Sequence, residues 1–184
     1  MGDPKIYTRG GDAGQTSMLS GERVSKADPQ INAVGDFDEL SVALGFARLG
    51  HPKREPELKD FQKKLYQLSA TVSYTGEKHA EKFALDPGAV KALEKMIDDI
   101  QETLPPLKDF IYPGQTEGGC RLHQARVVAR RVERNLALLP AEKAQASIPY
   151  INRLSDLLFV LAREADMEAG ADDEAYRGSG GKNR

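Results

Sequence analysis

The chain has 184 residues, 40% of them apolar and 29% charged, the balance of one soluble globular domain able to bury about 70% of its unfolded surface. Its 26 basic and 28 acidic residues leave a net charge of -2, which excludes a global field for nucleic acid or anionic membrane. One cysteine, Cys120, excludes a disulfide framework and a cysteine-built zinc site and fits a reducing compartment.

Residues 1–5 lack the apolar core of a signal peptide, and no apolar run approaches the ~20 residues that span a bilayer. A cytoplasmic location is the expectation. We read a single domain over 1–184 in three zones: a glycine-rich polar arm (1–30), a helical zone (31–167) and a loose acidic, Gly/Ser-rich tail (168–184).

The arm carries Tyr7-Thr8-Arg9-Gly10-Gly11-Asp12-Ala13-Gly14-Gln15-Thr16-Ser17. Glycines let backbone N–H groups turn toward an anion. Thr8, Thr16 and Ser17 add hydroxyls, Arg9 adds charge, and Lys26 follows. The composition is that of a phosphate cradle, but it matches neither the Walker A pattern nor the dinucleotide fingerprint. On composition alone a flexible arm rich in turn residues is the favoured reading.

Apolar stripes then predict an all-α bundle of about five antiparallel helices. From Ile31 to Leu49 the chain is apolar nearly all round: Phe37, Leu40, Leu44 and Ala47 on one side, Val34, Val42, Gly45, Phe46 and Leu49 largely on others. That predicts either the central helix or a subunit interface. Asp36, Asp38 and Glu39 within it call for cationic partners, unless they are simply exposed near the helix start. Leu58, Phe61, Leu65, Leu68 and Val72 form the next stripe. Asp86-Pro87 reads as an N-cap with proline at the first helical position. Val90, Leu93, Ile97, Ile100 and Leu104 follow, stopped by Pro105-Pro106.

The stretch from Asp109 to Gln115 is an aromatic, Pro/Gly-punctuated connection, either a site wall or a packed loop. Leu122, Ala125, Ala129, Val132, Leu136 and Leu139 make a fourth stripe, with His123, Arg126, Arg130 and Glu133 on an adjoining face. Four arginines between 126 and 134 exceed what Glu133 neutralises, so they suit carboxylate or phosphate partners; a solvated charged face is the alternative. Ile151, Leu154, Leu158, Leu161 and Ala165 form the last stripe, with Asn152, Asp156 and Arg163 expected opposite it. His51, His79 and His123 show no metal-ligand spacing, so no protein-held metal is expected. No nucleophilic triad is readable.

Five segments taken together resemble the PduO-type ATP:cob(I)alamin adenosyltransferases, over about residues 5 to 177. They are Lys5 to Gly14, Gly21 to Lys26, Gly35-Asp36-Phe37-Asp38-Glu39-Leu40, Phe110 to Gly114 running on to Leu122-His123 and the arginines, and Asn152-Arg153-Leu154-Ser155-Asp156. The resemblance implies a five-helix bundle with an N-terminal nucleotide-binding loop, assembled as a homotrimer with ATP and corrinoid at subunit interfaces. It implies transfer of the 5′-deoxyadenosyl group of ATP to Co(I) of a reduced corrinoid, giving adenosylcobalamin and triphosphate, with Mg²⁺ assisting.

By position, the implied ATP contacts are Thr8, Arg9, Gly10, Gly11, Thr16, Ser17, Lys26, Arg130, Arg131, Glu133, Arg134 and Asn152. Asp38 and Arg126 match an intersubunit ion pair, and Phe110 matches the aromatic closing the lower face of the corrin. With Arg130, these three form the implied catalytic group. The nucleophile would belong to the corrinoid, leaving positioning and charge stabilisation to the protein. A reductase and an adenosylcobalamin-dependent enzyme are implied partners. Gly10, Gln115 and Arg121 depart from the family pattern, which leaves a non-catalytic ATP or adenosylcobalamin carrier or sensor as the alternative. Tyr176-Arg177-Gly178-Ser179 faintly resembles the family's C-terminal segment.

Overall fold

The computed structural model describes residues 6, 7, 9–74, 83–145 and 147–176. Among these are helices α1 (Pro29–Gly50), α2 (Glu55–Ser73), α3 (Ala89–Gln101), α4 (Glu117–Leu136), the single turn α5 (Ala141–Ala144) and α6 (Ser147–Glu168). Strands β1 (Gln15–Ser17) and β2 (Arg23–Ser25) pair antiparallel, with Thr16 opposite Val24. None of the described helices is long and apolar enough to cross a membrane.

The five long helices pack in the spatial order α2, α1, α4, α6, α3. Side-chain ties give their directions. Arg48 bonds Glu55 and Gln62 bonds the Ser41 carbonyl, so α1 and α2 are antiparallel. Asn135 reaches Asp36 while Gly118 abuts Gly50, so α1 and α4 are antiparallel. Asn152 reaches Glu133 while Asp166 holds Thr116, so α4 and α6 are antiparallel as well. The exception is α3. Arg153 pairs with Glu94, and ten residues further on Arg163 donates to the Pro105 carbonyl, so α3 runs parallel to α6. The long connections on either side of α3 make this possible.

Periodicity located the core well. Every residue of the α2 and α6 stripes is buried, as is the α4 stripe apart from half-buried Leu139. Each fully buried Leu removes an aliphatic chain from water, worth about 1.5–3 kcal/mol. Asp28 caps α1, accepting from Gln30 N–H at 2.8 Å ahead of Pro29 at N1. Asp86-Pro87 does not start α3. Instead Pro87-Gly88 form a turn in which the Asp86 carboxylate accepts from Gly88 N–H at 2.7 Å, and the helix begins at Ala89.

The helix buried on nearly all sides is α6, from Leu154 to Asp166, not α1. Within the chain α1 keeps an apolar face toward solvent: Val42 and Leu49 are exposed, Leu49 by 76%, and Phe46 is exposed at its edge. Arg163, expected on a polar face, is buried and bonds Asp173 and the Pro105 carbonyl. The segment expected to be loose is tied down as far as Tyr176. Ile111 bridges to Ala175, Tyr112 N–H donates to the Glu174 carbonyl, and Tyr176 N–H donates to the Phe110 carbonyl. Residues 177–184 lie outside the described residues.

Glu164, also buried, accepts from Arg54 Nη2 at 2.6 Å and Nε at 2.8 Å, with His51 Nε2 at 3.4 Å. Burial alone would raise its pKa, but hydrogen bonds from His51 and Arg54 outweigh it and hold the carboxyl at about 2, against an ordinary 4.5. Its folded pKa is therefore depressed. The stabilisation is fully present above about pH 4.5 and is lost as pH falls toward 2. Urea unfolding should show that Glu164→Gln costs about 3 kcal/mol at pH 7 by leaving Arg54 underpaired. The variant should also lose less of its remaining stability than the wild type between pH 4.5 and 2.5.

Candidate functional site

The N-terminal loop is a compact turn leading into the ribbon. Gly14, at φ +79°, donates its N–H to the Gly11 carbonyl, and Lys26 N–H returns to the Gly14 carbonyl at 2.9 Å. Arg9 takes φ +60° with its guanidinium 5.6 Å from the Tyr7 ring centre. Lys26 lies beside Gly11, closely enough that a Cβ there would sit 3.1 Å from Nζ. The organiser is Arg23, a residue not singled out as a ligand contact. It donates to the Gly10 carbonyl at 2.6 Å and to Ser17 Oγ at 3.1 Å. Thr16 pairs with Val24. Thr8 lies outside the described residues. The loop is attached to the bundle through Leu19 N–H and Ser73 Oγ at 3.4 Å, at the end of α2. In the packing order α1 lies between α2, where the loop is attached, and α4, which carries the arginines.

The second group is built on α4, α6 and the connection before α4. A cleft of about 360 Å³ is lined by Phe110, Ile111, Pro113, His123, Arg126, Arg130, Ser155, Asp156 and Phe159, with Leu107 at its edge. Phe110 is 85% exposed at its rim. Arg126 is half-buried, its Nε 3.2 Å from His123 Nδ1. Burial, then the neighbouring Arg130 charge, lowers its pKa from the ordinary guanidinium value. Arg130 is exposed and its carbonyl accepts from Arg134. On an adjoining face, Asn152 Nδ2 donates to Glu133 at 2.9 Å, while Asn152 Oδ1 accepts from Arg153 at 2.6 Å.

The acids of α1 do find their cation among the arginines of α4. Arg131 bonds Glu39 and lies 3.5 Å from Asp36. Asp38 is exposed on the opposite flank of α1, beside Leu65, Tyr66 and Ser69 of α2. Asp38 and Arg126 are thus not brought together within one chain.

Asp166 carries the cleft's framework and was not anticipated. This buried carboxylate accepts from Thr116 Oγ1 at 2.6 Å, Thr116 N–H at 2.9 Å and Gln115 N–H at 3.2 Å. Thr116 in turn caps α4 by accepting from Gly119 N–H. A Cβ on Gly119 would strike the Asp166 carboxylate, and one on Gly118 would strike the Gly50 carbonyl. The only sequence signal was the Gly118-Gly119 pair inside a helix, where glycine is otherwise unfavourable. Arg121 forms an i,i+4 pair with Glu117 and covers the Phe46 ring at 5.1 Å, so this departure from the family pattern is accommodated locally.

Comparisons with known proteins bear on this geometry. A family model described as cobalamin adenosyltransferase matches residues 6–165. The chain belongs to the cobalamin adenosyltransferase family. It is 41% identical to the corrinoid adenosyltransferase PduO of Citrobacter freundii, over 89% of this chain and 50% of the relative, so it spans about half that protein's length. It is 40% identical to the corrinoid adenosyltransferase MMAB of Mus musculus, over 95% of this chain and 78% of the relative. Among solved structures, a variant PduO-type ATP:corrinoid adenosyltransferase from Lactobacillus reuteri complexed with cobalamin and ATP superposes with a TM-score of 0.84 at 29% identity, covering 94% of this chain and 97% of that one. Another variant of the same enzyme, complexed with ATP, gives 0.85 at 33% identity, covering 94% and 100%.

Gly119→Ala should force the Asp166 carboxylate away from Thr116, at a cost of about 2–3 kcal/mol. Urea unfolding followed by circular dichroism measures it; an unchanged midpoint would show that the α4–α6 approach is looser than described.

Proposed function

We propose that this chain transfers the 5′-deoxyadenosyl group of ATP to Co(I) of a reduced corrinoid and releases triphosphate. The observation that carries the proposal is the cleft in which Phe110, Arg126 and Arg130 converge, in a chain of this family. The cobalt of the substrate supplies the electron pair. A Co–C5′ bond forms, the C5′–O bond breaks, and that electron pair leaves on the triphosphate. The protein then needs no nucleophile of its own, only placement and charge compensation.

Exposed Arg130 and Arg134 present donors suited to phosphate oxygens. Lys26, Arg9, the N–H groups about Gly10 and Gly11, and the Thr16 and Ser17 hydroxyls supply the loop side of the phosphate site. Arg131, Glu133 and Asn152 border it, and Thr8 belongs with the loop by sequence. Mg²⁺ would enter with the nucleotide and would offset part of the triphosphate charge beside these cations. Phe110 covers the lower corrin face and keeps an axial ligand from cobalt, which eases reduction to Co(I).

The site is completed by association, and we propose a homotrimer. In this assembly the loop of one copy approaches the α4 arginines of the next. Asp38 of one copy then pairs with Arg126 of the partner subunit. The exposed Val42 and Leu49 side chains, with Phe46 at their edge, are buried in the same event. An electron-donating reductase upstream and an adenosylcobalamin-dependent enzyme downstream are the partners this chemistry needs, in the cytoplasm.

Incubation with ATP, Mg²⁺ and chemically reduced cobalamin should give adenosylcobalamin and triphosphate in equal amounts. Product binding without turnover would support the carrier reading instead. Arg130→Ala should lower kcat/KM for ATP by at least about tenfold, the loss of one charge-assisted phosphate contact. Phe110→Ala should slow the reaction far more when it starts from Co(II) than when Co(I) is supplied; equal losses would remove Phe110 from its axial role. Light scattering should give three chains per particle. Asp38→Arg should weaken assembly, and adding Arg126→Asp should restore part of it.

A further inference from the structure

His123 is 5% exposed and lines the Phe110 cleft. Its Nδ1 lies 3.2 Å from Arg126 Nε, and its ring is tilted against Phe159 with 5.8 Å between ring centres. A guanidinium N–H only donates, so Nδ1 must be the unprotonated, accepting nitrogen. Burial and then Arg126 hold the imidazole down to about pKa 4, although Asp166 and Asp173 pull the other way. The ring is therefore neutral at pH 7, and its single proton sits on Nε2. That Nε2 is buried and has no partner among the described residues. A buried donor without an acceptor costs about 1–3 kcal/mol, a cost relieved when a ligand brings the acceptor.

We infer that His123, its tautomer fixed by Arg126, donates its Nε2–H to a carbonyl oxygen of the ligand lying against Phe110. This rests on the corrinoid reading of the cleft. A corrin rim carries neutral carboxamide side chains, whose carbonyl oxygens are the acceptor class that a neutral N–H suits. The two nitrogens divide the work: Nδ1 steadies Arg126, and Nε2 reads the edge of the macrocycle. His123 is then a binding residue for the corrinoid, with no direct part in phosphate recognition.

The test has two arms. In ¹⁵N-histidine spectra of the free protein at pH 7, His123 should show a protonated Nε2 and a bare Nδ1; a protonated Nδ1 or a charged ring overturns the inference. In the second arm, cob(II)alamin affinity is measured by visible absorbance in the presence of ATP. His123→Gln, which keeps an N–H near the Nε2 position, should bind within about threefold of wild type. His123→Asn, which keeps only the side nearer Arg126, and His123→Phe should each lose about tenfold or more, with ATP affinity by calorimetry unchanged. The opposite order, Asn near wild type and Gln impaired, overturns the donor role. Wild-type protein that binds no cob(II)alamin overturns the corrinoid reading of the cleft, and the inference with it.

Discussion

Three charged side chains at the buried end of α6 fix the architecture around the cleft. Arg163, Glu164 and Asp166 are neighbours in sequence, yet each points to a different segment. Arg163 takes the tail at Asp173 and the exit of α3 at Pro105. Glu164 takes the α1–α2 corner through His51 and Arg54. Asp166 takes the entry of α4 through Gln115 and Thr116. Two carboxylates near a helix C-terminus oppose its own dipole. Here they are offset by a guanidinium and by N–H groups at the N-terminal end of α4, where the dipole has the favourable sign. The position of Phe110 follows, because its loop is held between the Asp166 anchor and the tail bridge at Ile111 and Ala175.

The guanidiniums of α4 are divided among different roles by what each turn of the helix faces. Arg126 leans on His123, Arg131 is held by the acids of α1, and Arg130 and Arg134 remain toward solvent. Four like charges within nine residues repel one another, and a partly buried one loses hydration as well. The lowered pKa of Arg126 reflects both effects. A polyanion beside Arg130 and Arg134 would relieve that repulsion, which is why the same helix that is electrostatically awkward alone suits a triphosphate.

Much of the core was legible because burial and helical period coincide. Leu58 to Val72 and Ile151 to Ala165 needed only their spacing. Direction was not legible: a stripe tells which side of a helix is inward, not which way it runs beside its neighbour, so the parallel run of α3 and α6 was missed. Arg163 was misplaced for a related reason. A helical wheel places it away from the stripe, but the wheel cannot show the returning tail whose Asp173 makes burial tolerable. The resemblance supplied the site residues by position but could not say which share one chain. Asp36 and Glu39 meet Arg131 within the chain, while Asp38, between them in sequence, faces the other flank of α1.

That flank carries the argument for assembly. Asp38, Val42 and Leu49 follow at intervals of four and seven, so they form one continuous stripe on α1, with Phe46 at its edge beneath Arg121. The apolar members need covering by the hydrophobic effect, while the acid tolerates covering only if a cation arrives with the cover. A bare apolar partner would strand Asp38, and a bare cation would leave Val42 and Leu49 wet. A second copy offering Arg126 beside an apolar cleft meets both demands at once. In the proposed trimer the same contact would bring the anion-suited loop of one copy toward the arginines of another, so covering the apolar stripe and completing the phosphate site would be one event.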